Sequence, residues 1–346
     1  MSDISLVNLT NIFNEIQWCF SYIILPIFFI LGNIGNCLNL FIFSGRSSRA
    51  NSCLLYFLSA SIINIFILNI GLVLRILRGI WNIDPAVKFV WFCRCRTYLT
   101  STFFFIYRCS ILLACVDRMC ASSRLAWMRM KSRPQIAYRL ITINWILSFA
   151  YFTPALVYPI IIYGQCLAPP GTTYSTFLTI STVLQGLLIP LIMIVCGLIT
   201  FFHLKSMRSR VQPLNADGQN ERKVVGQYVI MLFVQVVTDF LSNLTYECYL
   251  IYSLIFPAPQ SPLISTISSF LINMSFNLPY LNYSAAFYLH TLSSPSFRRK
   301  LLRFIRRISW FERLIPLNND THNTLTVAMT AKHGRNTTAV NHRTIQ

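Results

Sequence analysis

Residues 16–45, 50–74, 140–204 and 248–297 contain no Asp, Glu, Lys or Arg. About 20 consecutive apolar residues cross a bilayer core, and charge-free stretches this long leave few folds open to a chain. The first two runs hold one helix each. The third holds two, parted by the Pro/Gly-rich turn 165–173. The fourth holds one good span, 263–290, after the helix breaker 257–262. Two further stretches, 99–116 and 224–246, are apolar around one internal charge each, Arg108 in the first and Asp239 in the second. The sum is seven spans. Only 11% of the 346 residues are charged, which sets the chain apart from soluble domains. Lipid admits backbone only as helix or closed barrel, so the expectation is an all-α membrane protein, a seven-transmembrane helix bundle.

A net charge of +19 would suit a nucleic-acid binder, but the distribution argues against that partner. Arg46 and Arg49 follow span 1. Arg124, Arg129, Lys131, Arg133 and Arg139 lie between spans 3 and 4. Lys205, Arg208, Arg210, Arg222 and Lys223 lie between spans 5 and 6, and Arg298, Arg299, Lys300, Arg303, Arg306 and Arg307 follow span 7. Alternate connections are basic, and basic connections stay cytoplasmic. The N-terminus is then outside and the tail inside, with the basic loop 75–96 as an exception. Residues 1–15 are polar and the first apolar run is too long for a removable leader, so no signal peptide is expected. The division expected is an extracellular N-terminus (1–16), a membrane domain (17–311) and a disordered cytoplasmic tail (312–346). Asn8-Leu9-Thr10 is a glycosylation sequon on the expected outer side.

Ionisable side chains at membrane depth are costly and face a protein interior or an aqueous cavity. Arg108 and Asp239 have opposite signs on different spans, which suggests an ion pair coupling spans 3 and 6; separate solvation by water or backbone carbonyls is the alternative. Most of the eleven cysteines lie inside spans, where they read as small buried apolar residues. Cys93 and Cys166 fall on the oxidising outer side and a bridge between them would tie the 4–5 loop over span 3, with Cys95 as a rival for the same partner. No Cys/His metal spacing appears, and no cofactor is expected.

Asp117-Arg118-Met119 closes span 3 at its cytoplasmic end. It resembles the D/E-R-Y triplet of rhodopsin-like G-protein-coupled receptors. Gly35-Asn36 in span 1, Trp145 in span 4, Pro190 in span 5 and Phe297-Arg298-Arg299-Lys300 after span 7 fall where that family carries matching residues. Cys93 precedes Arg118 by the family spacing, a separation of ~37 Å along a helix. The resemblance covers residues 18–311. It implies a plasma-membrane receptor that passes an extracellular signal to heterotrimeric G proteins, with Asp117 holding Arg118 until the bundle opens. It also implies that Arg108, Asp239 and Pro190 pack together in a core that rearranges on activation, that a short amphipathic helix, 296–311, lies on the inner leaflet, and that threonines of the tail feed arrestin recruitment.

The departures are as informative. Asn64, or Ser61 on a stricter count, stands where the family has a sodium-binding aspartate. The span 6 C-W-x-P pattern is absent, with Asn243-Leu244-Thr245 in its place. The span 7 N-P-x-x-Y pattern is lost, with His290 in the tyrosine's position. Thr100 replaces the amine-gripping carboxylate and Tyr280 the retinal lysine, so neither ligand class is expected. Arg75, Arg78, Lys88, Arg94 and Arg96 form a basic rim, for which headgroup contact is the alternative. Glu247 is expected to face the cavity, and Tyr246 adds aromatic surface. Peptide receptors of invertebrates that answer FMRFamide-like peptides show similarly loose patterns, so the expected ligand is a neuropeptide or a small molecule. No GxSxG, HExxH or phosphate-cradling glycine loop occurs, so an enzyme is not expected. The rival readings are a transporter or channel with a charged path, which the absence of internal repeats disfavours, and a receptor fold that no longer signals.

Overall fold

The computed structural model describes residues 3–123, 125–162, 165–169, 171–210, 216–255 and 262–307. The first helical stretch is α1 (Asp3–Cys19), a π-helical turn (Phe20–Ile24) and α2 (Leu25–Ser44), followed by the short α3 (Arg46–Arg49). The second is α4 (Ser52–Phe66), a π-helical turn (Ile67–Leu72) and α5 (Val73–Trp81). The third is the single long helix α6 (Val90–Ser122), followed by the one-turn α7 (Ala126–Arg129). Then come α8 (Pro134–Tyr151), α9 (Thr173–Arg210), α10 (Ala216–Ile255), α11 (Pro262–Asn277), α12 (Pro279–Ser293) and α13 (Pro295–Arg307).

Among the described residues, five stretches are helical, long and apolar enough to cross a membrane: Val7–Ser44, Ser52–Trp81, Val90–Ser122, Thr173–His203 and Gly226–Tyr252. This is a helical protein built for a bilayer. The sequence expects seven spans, and the two that fall short do so for physical reasons. The expected span 4, α8, has 18 residues and carries Gln135 and Arg139 in its first turns. The expected span 7 is divided into α11 and α12, of 16 and 15 residues. Pro279 at the start of α12 has no N–H to give the turn before it, which interrupts the ladder at Leu278.

At the N-terminal end α1 continues through the π turn into α2, and Phe13 stacks on Phe270 of α11 with ring centroids 4.3 Å apart. The described residues are overwhelmingly helical, as expected. The 4–5 loop holds a hairpin of β1 (Ile160–Ile162) and β2 (Gln165–Leu167), with Ile161 opposite Cys166. Cys166 is disulfide-bonded to Cys93 near the start of α6, Cα atoms 5.6 Å apart, and Cys95 is free and exposed.

The chain divides into two compact units, Met1–Arg298 and Arg299–Gln346. In the first, α4 is the most enclosed helix and packs on α2, α6 and α8, while α10 packs on α9 and α12. The helix α2 approaches α12 closely because Gly35 has no side chain: a Cβ there would lie 2.8 Å from the Cβ of Phe287. Small residues at such crossings are what let helices meet in lipid. Polar side chains then tie the helices pairwise. The Asn36 amide donates to the Tyr283 carbonyl at 2.9 Å and accepts from Asn64 at 3.1 Å, joining α2, α4 and α12. Trp145 Nε1 donates to Ser59 Oγ at 3.1 Å, joining α8 to α4. Of the second unit, residues 299–307 continue α13; Ile308, Phe311 and the tail threonines lie outside the described residues.

Candidate functional site

Arg108 on α6 and Asp239 on α10 are both buried, 6% and 4% exposed. Arg108 Nε lies 3.9 Å from Asp239 Oδ2. That is an ion pair but not a hydrogen bond, and Arg108 Nε has no hydrogen-bond partner. The carboxylate is held more tightly by amides. Asn282 Nδ2 donates to Asp239 Oδ1 at 2.8 Å, and Asn243 Nδ2 donates to the same oxygen at 3.3 Å. Gln235 Nε2, one turn before Asp239 on α10, donates to Asn282 Oδ1 and to the Tyr107 hydroxyl, each at 2.7 Å. A connected set of polar groups thus links α6, α10 and α12 at membrane depth. In such a setting each donor and acceptor depends on its neighbours, because no water replaces a lost partner.

Sequence reasoning singled out the two charges and marked Asn243 only as a departure from a family pattern, not as part of a shell of amides around Asp239. Asn282, three residues past Pro279 on α12, reaches across to α10. Gln235 and Tyr107 carried a fainter signal, as polar residues inside otherwise apolar stretches. Pro190 is inside α9 and buried. Asn39, on the same helix as Asn36, is wholly buried and neither its Nδ2 nor its Oδ1 finds a hydrogen bond.

Above this cluster lies a cavity of about 230 Å³. Arg108 is in its wall, together with Arg75 and Arg96, Thr100, Asn243, Tyr246, Phe276 and Tyr280. Arg96 pairs with Asp84, Nη1 to Oδ1 3.4 Å. The guanidinium carbon of Arg75 sits 4.5 Å from the centroid of the Phe276 ring. Thr100 gives its hydroxyl to the Arg96 carbonyl at 2.8 Å, a bond within its own helix. Glu247 corrects an expectation. It is 1% exposed, is not among the cavity-lining residues, and both its carboxylate oxygens are without hydrogen bonds. It is turned toward α9, where Gly186 leaves the space it fills. Spacing along a helix fixes a direction only when the neighbour's bulk is known, and the missing side chain at Gly186 decides this one.

At the far end of α6, Arg118 is 4% exposed. Its Nε donates to Asp117 Oδ2 at 3.0 Å, and Asp117 Oδ1 accepts from Ser132 Oγ at 2.8 Å. Ser52 Oγ, at the start of α4, accepts from Arg118 Nη2 at 3.4 Å. The arginine is therefore turned onto its own helix and the adjoining loop. Beside it runs an apolar groove of about 350 Å³ between α6, α9 and α10, bordered by Cys115, Met193, Phe201 and Phe233. Met119, next in the chain, is half-buried. His290 is packed edge-on to Phe57, ring centroids 4.8 Å apart, and to Phe43 and Phe297 at 5.8 Å. Neither of its ring nitrogens makes a hydrogen bond. Asn8 is exposed on α1.

No protein-family model matches the chain, and no curated protein matches it. Among the described residues no group of three or more His, Cys, Asp and Glu is arranged to hold a metal ion.

Proposed function

We propose that this chain is a divergent rhodopsin-like receptor of the plasma membrane. It crosses the bilayer seven times with its N-terminus outside, binds an extracellular ligand in the cavity between α5, α6, α10, α11 and α12, and activates a heterotrimeric G protein at its inner face. In this reading α8 and the α11–α12 pair are the fourth and seventh spans. A short span is stabilised by tilt or local thinning at modest cost. The protein is not an enzyme.

One observation carries the reading: Arg108 belongs both to the cavity wall and to the ion pair with Asp239 on α10. A ligand that draws on the Arg108 guanidinium competes with Asp239 for it. Such competition biases the packing of α6 against α10, and a ligand shifts a two-state element only by such a difference in contacts. Below, on the same α6, Arg118 rests on Asp117. Its planar fork of donors suits the carbonyl groups of a partner inserted between α6 and α10. Ser132 and Ser52 complete a resting arrangement that would have to open.

The test is nucleotide exchange on a panel of purified G proteins by the full-length chain in lipid nanodiscs. Wild type is expected to give measurable ligand-free exchange with at least one G protein, and Arg118→Ala to abolish it. Asp239→Asn, which releases Arg108, is expected to raise it. Exchange indistinguishable from empty nanodiscs for all three proteins, each verified as folded, overturns the receptor reading.

A further inference from the structure

Three guanidinium groups line the outer cavity, and no carboxylate does among the described residues. Two of the three are already committed, Arg96 to Asp84 and Arg108 to Asp239. Arg75 takes part in none of the ion pairs found among the described residues. It stands over the Phe276 ring in the cavity wall, hydrogen-bonded to the uncharged Tyr280 hydroxyl. An arginine in a membrane-embedded wall without a counter-charge is an expensive arrangement. Arg108 adds a second, independent signal: its Nε is buried in the same wall with no hydrogen-bond acceptor.

We propose that the cavity takes a carboxylate attached to a flat apolar group, with Arg75 as its anchor. The inference rests on reading this cavity as the ligand site. A carboxylate supplies the missing charge and matches the guanidinium fork with two parallel hydrogen bonds, the strongest neutralising geometry a protein offers. Tyr246, Phe276 and Tyr280 supply ring surfaces for the apolar part. The volume of about 230 Å³ is below the usual range for drug-sized ligands. It suits one aromatic group and its acid, not the body of a peptide. A free small acid and the terminal carboxyl of a peptide would present the same chemistry, whereas a C-terminal amide would not.

The experiment uses the full-length protein in nanodiscs and reads thermal unfolding against ligand concentration. The probes are hydrocinnamate against hydrocinnamamide, and alanyl-phenylalanine as free acid against its C-terminal amide. The acids are expected to raise the unfolding temperature and the matched amides not to; which acid acts at the lower concentration tells a free acid from a chain terminus. Arg75→Gln is expected to raise the half-saturating concentration ~tenfold or more. Arg75→Lys, which keeps the charge but not the fork, should fall between. Arg139→Gln, exposed on α8, should leave it unchanged. Acids and amides acting alike, neither acting, or Arg75→Gln binding the acids as tightly as wild type overturns the proposal. Acid binding without G-protein exchange would leave this inference standing and end the receptor reading. Exchange without acid binding would do the reverse.

Discussion

Asp239 is satisfied by three side chains at once, and Arg108 by one distant charge. The two ends of the pair are therefore unequal. Removing either partner of a buried pair costs ~3–5 kcal/mol, because the other charge stays behind. Asp239→Leu also removes one acceptor each from the amides of Asn282 and Asn243, which keep the Tyr107 hydroxyl and the residue-239 carbonyl respectively, so it should lower the unfolding temperature in nanodiscs more than Arg108→Leu does. The double variant should be more stable than the sum of the singles by ~0.5–3 kcal/mol, the range of direct couplings. Strict additivity would show that the two charges are held independently. A second residue-scale consequence concerns Gly186. A Cβ there would overlap the Glu247 side chain, so Gly186→Ala should destabilise by ~1–3 kcal/mol, as overpacking does. Combining it with Glu247→Ala should recover most of that loss. If Gly186→Ala is silent on its own, Glu247 does not occupy that space.

At the scale of elements, the hairpin β1–β2 is joined to α6 by a bridge spanning 73 residues of sequence. Closing a loop of that size stabilises by ~2–4 kcal/mol at most when native strain is small. Cys93→Ser and Cys166→Ser should therefore lower the unfolding temperature by the same amount as each other and as the double variant. Cys95→Ser should do nothing. Unequal single variants would mean that Cys95 substitutes for one partner. The same comparison shows what a sequence can and cannot disclose. The charge-free runs locate α2, α4 and most of α9, and the two apolar stretches with a single charge locate the membrane portions of α6 and α10. Exclusion of charge is a property of each segment alone. The stacking of Phe13 on Phe270 is not, since the two rings come from helices far apart in the chain. The hairpin is equally hidden, because Ile160–Ile162 reads as one more apolar stretch until Cys93 holds its partner strand. Cys93 and Cys166 could be read as candidates from their side of the membrane, the spacing of Cys93 from Arg118 favours Cys93 over Cys95 through the family resemblance, and the structure bonds that pair. The interruption of the last span at Leu278 follows from Pro279, a residue visible in the sequence. The amides grouped around Asp239 could not be read there, because helical spacing says where a side chain starts and not which neighbour it meets.

For the molecule as a whole, the arrangement of basic connections and the odd number of spans in the proposed receptor make one sharp demand. A tag before α1 should be reached by antibody on intact cells, and a tag at the far end only after permeabilisation. Accessibility of both without permeabilisation would leave an even number of crossings and remove the receptor reading with it. A wild-type chain expressed in a eukaryotic cell should also lose mass on glycosidase treatment, and Asn8→Gln should abolish that change. The first stretch, Val7–Ser44, adds a constraint of its own. Its 38 residues make a rod of ~57 Å if straight, against a hydrocarbon layer of ~30 Å. The surplus must lean over or stand clear of the lipid, and the Phe13–Phe270 stack obliges the outer part of α11 to follow. Bilayer thickness thereby sets the slant of a lever whose tip is fastened to the helix that carries Phe276, one wall of the outer cavity.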